Sequence, residues 1–108
     1  MQAYWHKSVY HEAWGATHAA GTNATWKDWD LVNQVPGNAV LAEIVAIVVT
    51  AAGNVGVRQK GSSLDRKALA AIDGLPIFTV ALGDSKVIQV YAAVNANVNF
   101  RVVGYVTA

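Results

Sequence analysis

The residues best suited to chemistry in this chain are three histidines close to its N-terminus. His6, His11 and His18 follow one another with the spacing H-x4-H-x6-H. A metal site needs ligands held at bonding distance by a rigid scaffold. No helical or strand period persists through the surrounding residues, so no scaffold is predicted there. We expect these histidines to be polar side chains of an extended segment, with metal binding as the alternative, and we predict neither a metal nor a cofactor.

Two carboxylates and two hydroxyls are the next candidates for chemistry. Asp28 and Asp30 lie two residues apart, so on a strand they project from the same face, where such a pair can transfer protons or bind calcium. Each also flanks a tryptophan at the start of a predicted strand, and we favour a structural role as acceptors for turn or backbone N–H groups. Ser62 and Ser63 lack the G-x-S-x-G pattern, and no histidine follows them. We therefore expect no catalytic residues and a protein that is not an enzyme.

Aromatic side chains offer binding rather than catalysis. Trp26 and Trp29 lie on opposite faces if residues 25–31 form a strand, so one can pack in the core while the other is presented outward. An exposed aromatic ring can stack on a sugar or anchor an interface between chains. Arg58 and Arg66 lie on either side of the loop 59–65. The simplest role for either arginine is a salt bridge to Asp65.

Composition limits the class of protein. Of 108 residues, 54% are apolar and 14% are charged, against about 25% charged in an ordinary soluble domain. The net charge of +1 argues against nucleic-acid binding driven by bulk charge and against an anionic membrane partner. The absence of cysteine excludes disulfides, thiol nucleophiles and zinc–thiolate sites. The longest apolar run, residues 39–52, is shorter than the roughly 20 residues of a membrane helix.

The chain divides into two parts by pattern. Residues 1–24 predict an N-terminal arm with at most one short strand, and we expect its deletion to leave a folded body. Residues 25–108 predict a single domain, an all-β, jelly-roll-like antiparallel β-sandwich of six to eight short strands. The apolar pattern and the β-branched content predict strands at 25–31, 39–52, 55–60, 75–82, 86–92 and 97–106, with a buried helix as the alternative for 39–52.

Two local predictions concern how these strands connect. Residues 67–72 fit either one helical turn or a short strand at a sheet edge. Gly83-Asp84-Ser85 predicts a tight reversal, which would make 75–82 and 86–92 a β-hairpin.

Five segments then suggest a known kind of module. They are Trp26-Lys-Asp-Trp-Asp-Leu31, Val35-Pro-Gly-Asn-Ala-Val40, Gly56-Val-Arg58 with Gly61-Ser-Ser-Leu-Asp-Arg66, Val90-Tyr91 and Val102-Val-Gly-Tyr-Val106. In this order they resemble small jelly-roll modules of bacteriophage virions, found in capsid decoration proteins and at tail-fibre or receptor-binding tips. The resemblance covers residues 25–106. It implies that the first segment opens the sandwich and the last one closes it.

The resemblance implies a structural protein of the virion, and a short single-domain chain without a fibre shaft or coiled coil favours the capsid exterior over a complete tail fibre. Sparse charge independently favours a chain that buries apolar surface against another chain. Our leading hypothesis is a homotrimeric decoration (cement) protein that stabilises the shell by binding across subunits of the major capsid protein, or that binds another virion protein. We expect it to be made in the host cytoplasm without a signal peptide and to use the aromatic residues of the arm, Tyr4, Trp5, Tyr10 and Trp14, as partner contacts.

The alternative hypothesis is a tail-fibre tip or a carbohydrate-binding module. In that case a glycan would stack on exposed aromatic side chains, for which the candidates are Trp26, Trp29 and Tyr105.

Overall fold

A computed structural model describes residues 8–19, 24–48, 53–63, 67–70, 75–93 and 98–108. Nine β-strands lie within these ranges and no helix does. The strands are β1 (Val9–Glu12), β2 (His18–Ala19), β3 (Trp26–Asp30), β4 (Ala39–Val48), β5 (Gly53–Gln59), β6 (Lys67–Ala70), β7 (Ile77–Ala81), β8 (Val87–Ala92) and β9 (Val98–Thr107).

The strands form two antiparallel sheets that pack together as a sandwich. Sheet A has the order β1-β9-β4-β7, with β2 also paired to β9, and sheet B has the order β3-β8-β5-β6. Every described strand pair is antiparallel. The predicted all-β class and antiparallel sandwich are therefore confirmed.

The core lies between the sheets because apolar residues alternate with polar ones along the central strands. In β8, Ile88, Val90 and Ala92 are buried while the residues between them are half-exposed. In the last strand Val98, Phe100 and Val102, which alternate with polar residues, are also buried. A bulge in β9 at Val103, which has no partner between Glu43 and Ile44 of β4, then shifts which residues of β9 face inward.

The described part of the N-terminal arm, residues 8–19, belongs to sheet A. Strand β1 pairs with residues Gly104 to Thr107 of β9, and β2 pairs with Asn99 and Phe100. Between them Ala13 and Gly15 donate backbone hydrogen bonds to Val103 and Val102 at 3.1 and 3.0 Å. Deleting residues 1–24 would expose this edge of β9, and whether the remaining residues then stay folded stays a prediction.

The predicted hairpin between residues 75–82 and 86–92 is wrong. Strand β7 pairs with β4 in sheet A, whereas β8 pairs with β3 and β5 in sheet B. The connection crosses between the sheets at Lys86, which has a positive φ of 58°. Its carbonyl accepts from Leu31 N–H at 2.9 Å, and its Nζ donates to the carbonyl of Ala39 at 2.9 Å. The turn residues thus reverse the chain but send it into the opposite sheet.

The hairpin within the described residues is instead formed by β5 and β6, in which Gly53 pairs with Ala70 and Gly56 with Lys67. Residues 67–70 are therefore a strand at the edge of sheet B, one of the two predicted alternatives. Pro36-Gly37-Asn38 forms the predicted turn, closed by a 3.0 Å hydrogen bond from Ala39 N–H to the carbonyl of Pro36.

Candidate functional site

The sandwich presents two outer sheet surfaces, and both are candidate interaction sites. Face A is the outer surface of sheet A, with Tyr10, Trp14, Leu41, Glu43, Val45, Ile77, Thr79, Arg101 and Gly104. Face B is the outer surface of sheet B, with Trp26, Asp28, Gly56, Arg58, Lys60, Lys67, Gln89 and Tyr91. Strand register assembles each face from residues far apart in sequence.

One row across face A is apolar and aromatic. Ile77 lies beside Val45, which lies beside Arg101. The guanidinium carbon of Arg101 lies 4.0 Å from the ring centroid of Trp14, which completes the row. Trp14 is 74% exposed and Ile77 is 61% exposed. Large side chains at both ends of this row are thus left in water.

The neighbouring row of face A places Tyr10 over Gly104. Gly104 is buried although it faces outward, because the Tyr10 ring occupies the space where a side chain at position 104 would lie. The Tyr10 hydroxyl donates to Glu43 Oε1 at 3.4 Å. Partial desolvation and the nearby Glu43 carboxylate both raise the pKa of Tyr10 above its ordinary value. The glycine therefore makes room for an aromatic ring on the surface.

Face B also carries aromatic rings, but cations cover them. Trp26 and Tyr91 are register partners whose ring centroids lie 5.4 Å apart. The Arg58 guanidinium lies 4.1 Å from the Trp26 centroid, and Lys67 Nζ lies 4.1 Å from the Tyr91 centroid. Both distances fall within the range of cation–π attraction. These two rings are therefore half-buried within the face.

A chain of polar contacts continues face B toward Asp28. Arg58 Nε donates to Gln89 Oε1 at 2.8 Å, and Gln89 Nε2 donates to Asp28 Oδ1 at 3.0 Å. Lys60 Nζ forms a 2.6 Å ion pair with Asp28 Oδ2. The hydrogen bonds from Lys60 and then Gln89 lower the pKa of Asp28 below its ordinary value. The charged groups of this face thus satisfy one another.

The two predicted carboxylates have structural partners, as favoured from the sequence. Asp28 binds Lys60 and Gln89, whereas Asp30 Oδ1 accepts from the backbone N–H of Val32 at 2.9 Å in the turn after β3. The predicted contact of Arg58 or Arg66 with Asp65 lies outside the described residues. The structure instead places Arg58 over Trp26.

The histidines of the arm stack on aromatic rings. His11 lies 5.0 Å from Tyr105, and its Nε2 is 3.3 Å from Thr107 Oγ1. His18 lies 4.9 Å from Trp29 across the sandwich, and burial followed by the charge of Lys27 lowers the pKa of His18. His6 lies outside the described residues. Within the described ranges no group of three or more His, Asp or Glu is placed to hold a metal ion.

The remaining predicted binding residues fall into different environments. Trp29 is 6% exposed and belongs to the core, and Tyr105 is partly buried against the core. Neither ring therefore forms an open surface on which a sugar could stack. Trp26 lies on face B, which confirms that the two tryptophans of β3 face opposite ways. Of the arm aromatics, Tyr10 and Trp14 lie exposed on face A, and Tyr4 and Trp5 lie outside the described residues.

Several residues of these faces were not singled out from the sequence. Ile77, Arg101, Gln89 and Tyr91 are ordinary members of alternating strands, and their importance comes from which strands are neighbours. Tyr91 could have been found from its position two residues after Gln89 in β8, because residues two apart on a strand lie on the same face. No equivalent local signal indicates the contact between Trp14 and Arg101.

Comparisons with known proteins give no relative for this chain. No protein-family model matches it, and neither the curated proteins nor the solved structures contain a significantly similar chain. The predicted phage-module resemblance, homotrimer and virion location stay predictions. Among the described residues, no helix has the length and apolar content needed to span a membrane.

Proposed function

We propose that this protein is a structural module of a bacteriophage virion, of the capsid decoration type, and that face A is its docking surface. The observation that carries the proposal is the row across face A in which exposed Ile77 and exposed Trp14, packed over Arg101, flank the buried Val45. Exposed apolar groups of this size, in one contiguous row, are typical of surfaces that bind another protein. Aromatic side chains also concentrate binding energy at such surfaces.

We further propose that the sandwich is a jelly roll. The strand order supports this: β1 and β2, counted as one interrupted strand, bring the described strands to eight, four in each sheet. Two-sheet, eight-stranded jelly rolls serve as viral capsid and lectin domains. Because one fold serves both uses, the surface chemistry has to decide between them.

Face A favours a protein partner such as the major capsid protein. Its exposed groups are apolar or aromatic, with Arg101 and Glu43 as the charged members among its named residues. Burial of this face removes apolar area from water, which is the dominant favourable contribution to most protein association. Binding across neighbouring shell subunits would then stabilise the assembled shell by mass action.

The test is re-addition of the purified protein to shells of the virion that lack it, followed by cosedimentation. Trp14→Ala should lower the amount bound at least about tenfold, because it removes an aromatic contact from the interface. Trp26→Ala, on face B, is the matched control and should bind normally. Equal binding by both variants, or loss caused only by Trp26→Ala, would contradict docking through face A.

Glycan binding through face B is the second candidate. The specific observation in its favour is the Trp26–Tyr91 pair beside the polar row of Arg58, Gln89 and Asp28. A glycan array with the wild-type chain tests it. Binding of a defined saccharide that Trp26→Ala abolishes and Trp14→Ala preserves would support this function over shell docking.

A further inference from the structure

The edge strands of the two sheets differ in how they are protected from pairing with another chain. Such edges expose backbone N–H and C=O groups, and proteins protect them with charged residues, prolines or very short strands. Strand β1 contains Glu12, β3 contains Lys27 and two aspartates, and β6 contains Lys67. Strand β2 has only two residues. Strand β7, Ile77-Phe78-Thr79-Val80-Ala81, contains no charge and no proline.

The free side of β7 carries a complete set of hydrogen-bonding groups. Leu82 N–H donates to Val40, and Ala46 N–H donates to Pro76, both at 2.9 Å. Because hydrogen-bonded residues alternate along an antiparallel strand, Phe78 and Val80 direct their backbone groups toward β4. Ile77, Thr79 and Ala81 then direct theirs away from it. In the described part of the chain, no strand pairs with this side.

We propose that β7 pairs antiparallel with β7 of a second copy of this chain, about a two-fold axis at Thr79. In this register Thr79 faces its own copy, and Ile77 faces Ala81 of the second copy. A large side chain thus meets a small one on face A. Between the sheets, the partly buried Phe78 would lie beside Val80 of the second copy and be covered by it.

A second copy is the favoured occupant because this pairing closes. A two-fold contact uses the same strand from both chains, so both unprotected β7 edges become paired. Pairing of β7 with the opposite edge, at β1, would leave a free β7 at the end of every assembly and allow growth into a filament. Charges on β1, β3 and β6 also oppose their use as partners for an apolar strand.

The two-fold contact goes beyond the proposed virion role, does not depend on it, and puts a dimer in place of the homotrimer predicted from the sequence. It would join two copies of sheet A into one continuous sheet with the two copies of face A side by side. Ile77, which is 61% exposed in the single chain, would lie near the centre of that joined surface.

Sedimentation of the full chain over a range of concentrations tests the proposal. We expect a species of twice 11.4 kDa. Thr79→Lys should weaken dimerisation about fivefold, since it places two ammonium groups opposite each other at the axis. Thr17→Lys makes the same change at an exposed position between β1 and β2, at the opposite edge of sheet A, and should leave the dimer intact.

A second measurement keeps the test decisive if the lysine variant folds poorly. The chain has no cysteine, so Thr79→Cys and Thr17→Cys each introduce a single thiol. A short bis-maleimide should join two chains of the Thr79→Cys variant covalently. It should form no cross-link between chains of the Thr17→Cys variant. A chain that is monomeric at all concentrations, a trimer or filament unaffected by Thr79→Lys, or equal cross-linking of both thiols would overturn the proposal.

Discussion

Among the described residues, each outer face of the sandwich carries one tryptophan, and the two rings have different surroundings. Trp26 lies within strand β3, pairs with Tyr91 in register, and has Arg58 over its ring. Trp14 lies outside the strands, between β1 and β2, where Arg101 contacts one side of the ring and 74% of the residue stays exposed. Face B therefore half-buries its aromatic rings against cations of the same chain, whereas face A leaves Tyr10 and Trp14 at least half exposed.

The charged groups of the two faces also differ in how completely they are paired within the chain. On face B, Asp28 binds both Lys60 and Gln89, and Gln89 binds Arg58. On face A, Arg101 Nε is buried without a hydrogen-bond acceptor among the described residues. A buried donor without a partner is destabilising, so the ring of Trp14 covers Arg101 without stabilising that group fully. This difference favours face A as the interaction surface.

Replacing the two tryptophans should separate the faces most clearly. Trp26→Ala should lower the free energy of unfolding by about 1–3 kcal/mol, because it removes half-buried area and a cation–π contact. Trp14→Ala should change it by no more than about 0.5 kcal/mol, as is usual for exposed side chains, and would also let water reach Arg101. Urea denaturation followed by far-UV circular dichroism measures both. Equal losses would show that the two faces have the same stability role.

A double-mutant cycle should show how tightly Tyr10 is seated on face A. Gly104→Ala should destabilise the protein by about 1 kcal/mol, because the added methyl group displaces the Tyr10 ring. In a Tyr10→Ala background the same change should have almost no effect. Gly37→Ala is the control, since a methyl group there meets no atom within 4 Å. An unchanged penalty in the Tyr10→Ala background would rule out the ring as its cause.

The ion pair of face B should have a small effect that depends on pH and salt. Because the folded-state pKa of Asp28 is lowered, its contribution to stability is present above the unfolded-state value near 4 and is lost as the pH falls through the folded-state pKa. Asp28→Asn should therefore lower the urea midpoint slightly at neutral pH, and the difference from wild type should shrink in acid and in high salt.

The control for that measurement is Asp84→Asn, which removes an exposed carboxylate in the turn after β7. Its urea midpoint should follow wild type at every pH. A difference for Asp28→Asn that persists unchanged in acid would mean that the carboxylate charge contributes nothing to face B.

Local pattern located most strands from residue 25 onward, but it allowed at most one of the two arm strands, β1 and β2, and it did not indicate strand partners. The alternation in 97–106 placed Val98, Phe100 and Val102 on one face, because side-chain direction along a strand has a period of two, and the structure shows that this face is buried. The pattern at 75–92 was equally regular, yet the hairpin drawn from it was wrong. A turn specifies that the chain reverses, whereas the choice between the neighbouring strand and the opposite sheet depends on contacts such as Lys86 with Ala39 and Leu31.

The candidate site was predictable only in part for the same reason. The sequence identified Tyr10 and Trp14 as candidate contacts and assigned Trp26 and Trp29 to opposite faces. It did not indicate that Arg101 and Gly104 lie under the two arm aromatics, because residues 10–14 and 101–104 meet only when β1 pairs with β9. Nor did it indicate that β7 is an unprotected edge, since an edge is defined by the strands that a sheet lacks.

Residue order alone determined an all-β chain with few charges, strand positions and the side of each strand that faces inward. These properties follow from intrinsic strand preference and two-residue alternation, which act within a few neighbouring residues. The tertiary structure decided which strands are neighbours, and with that the composition of faces A and B, the position of the N-terminal segment and the open side of β7. Those features depend on hydrogen-bond partners up to about a hundred residues apart, which local preferences do not specify.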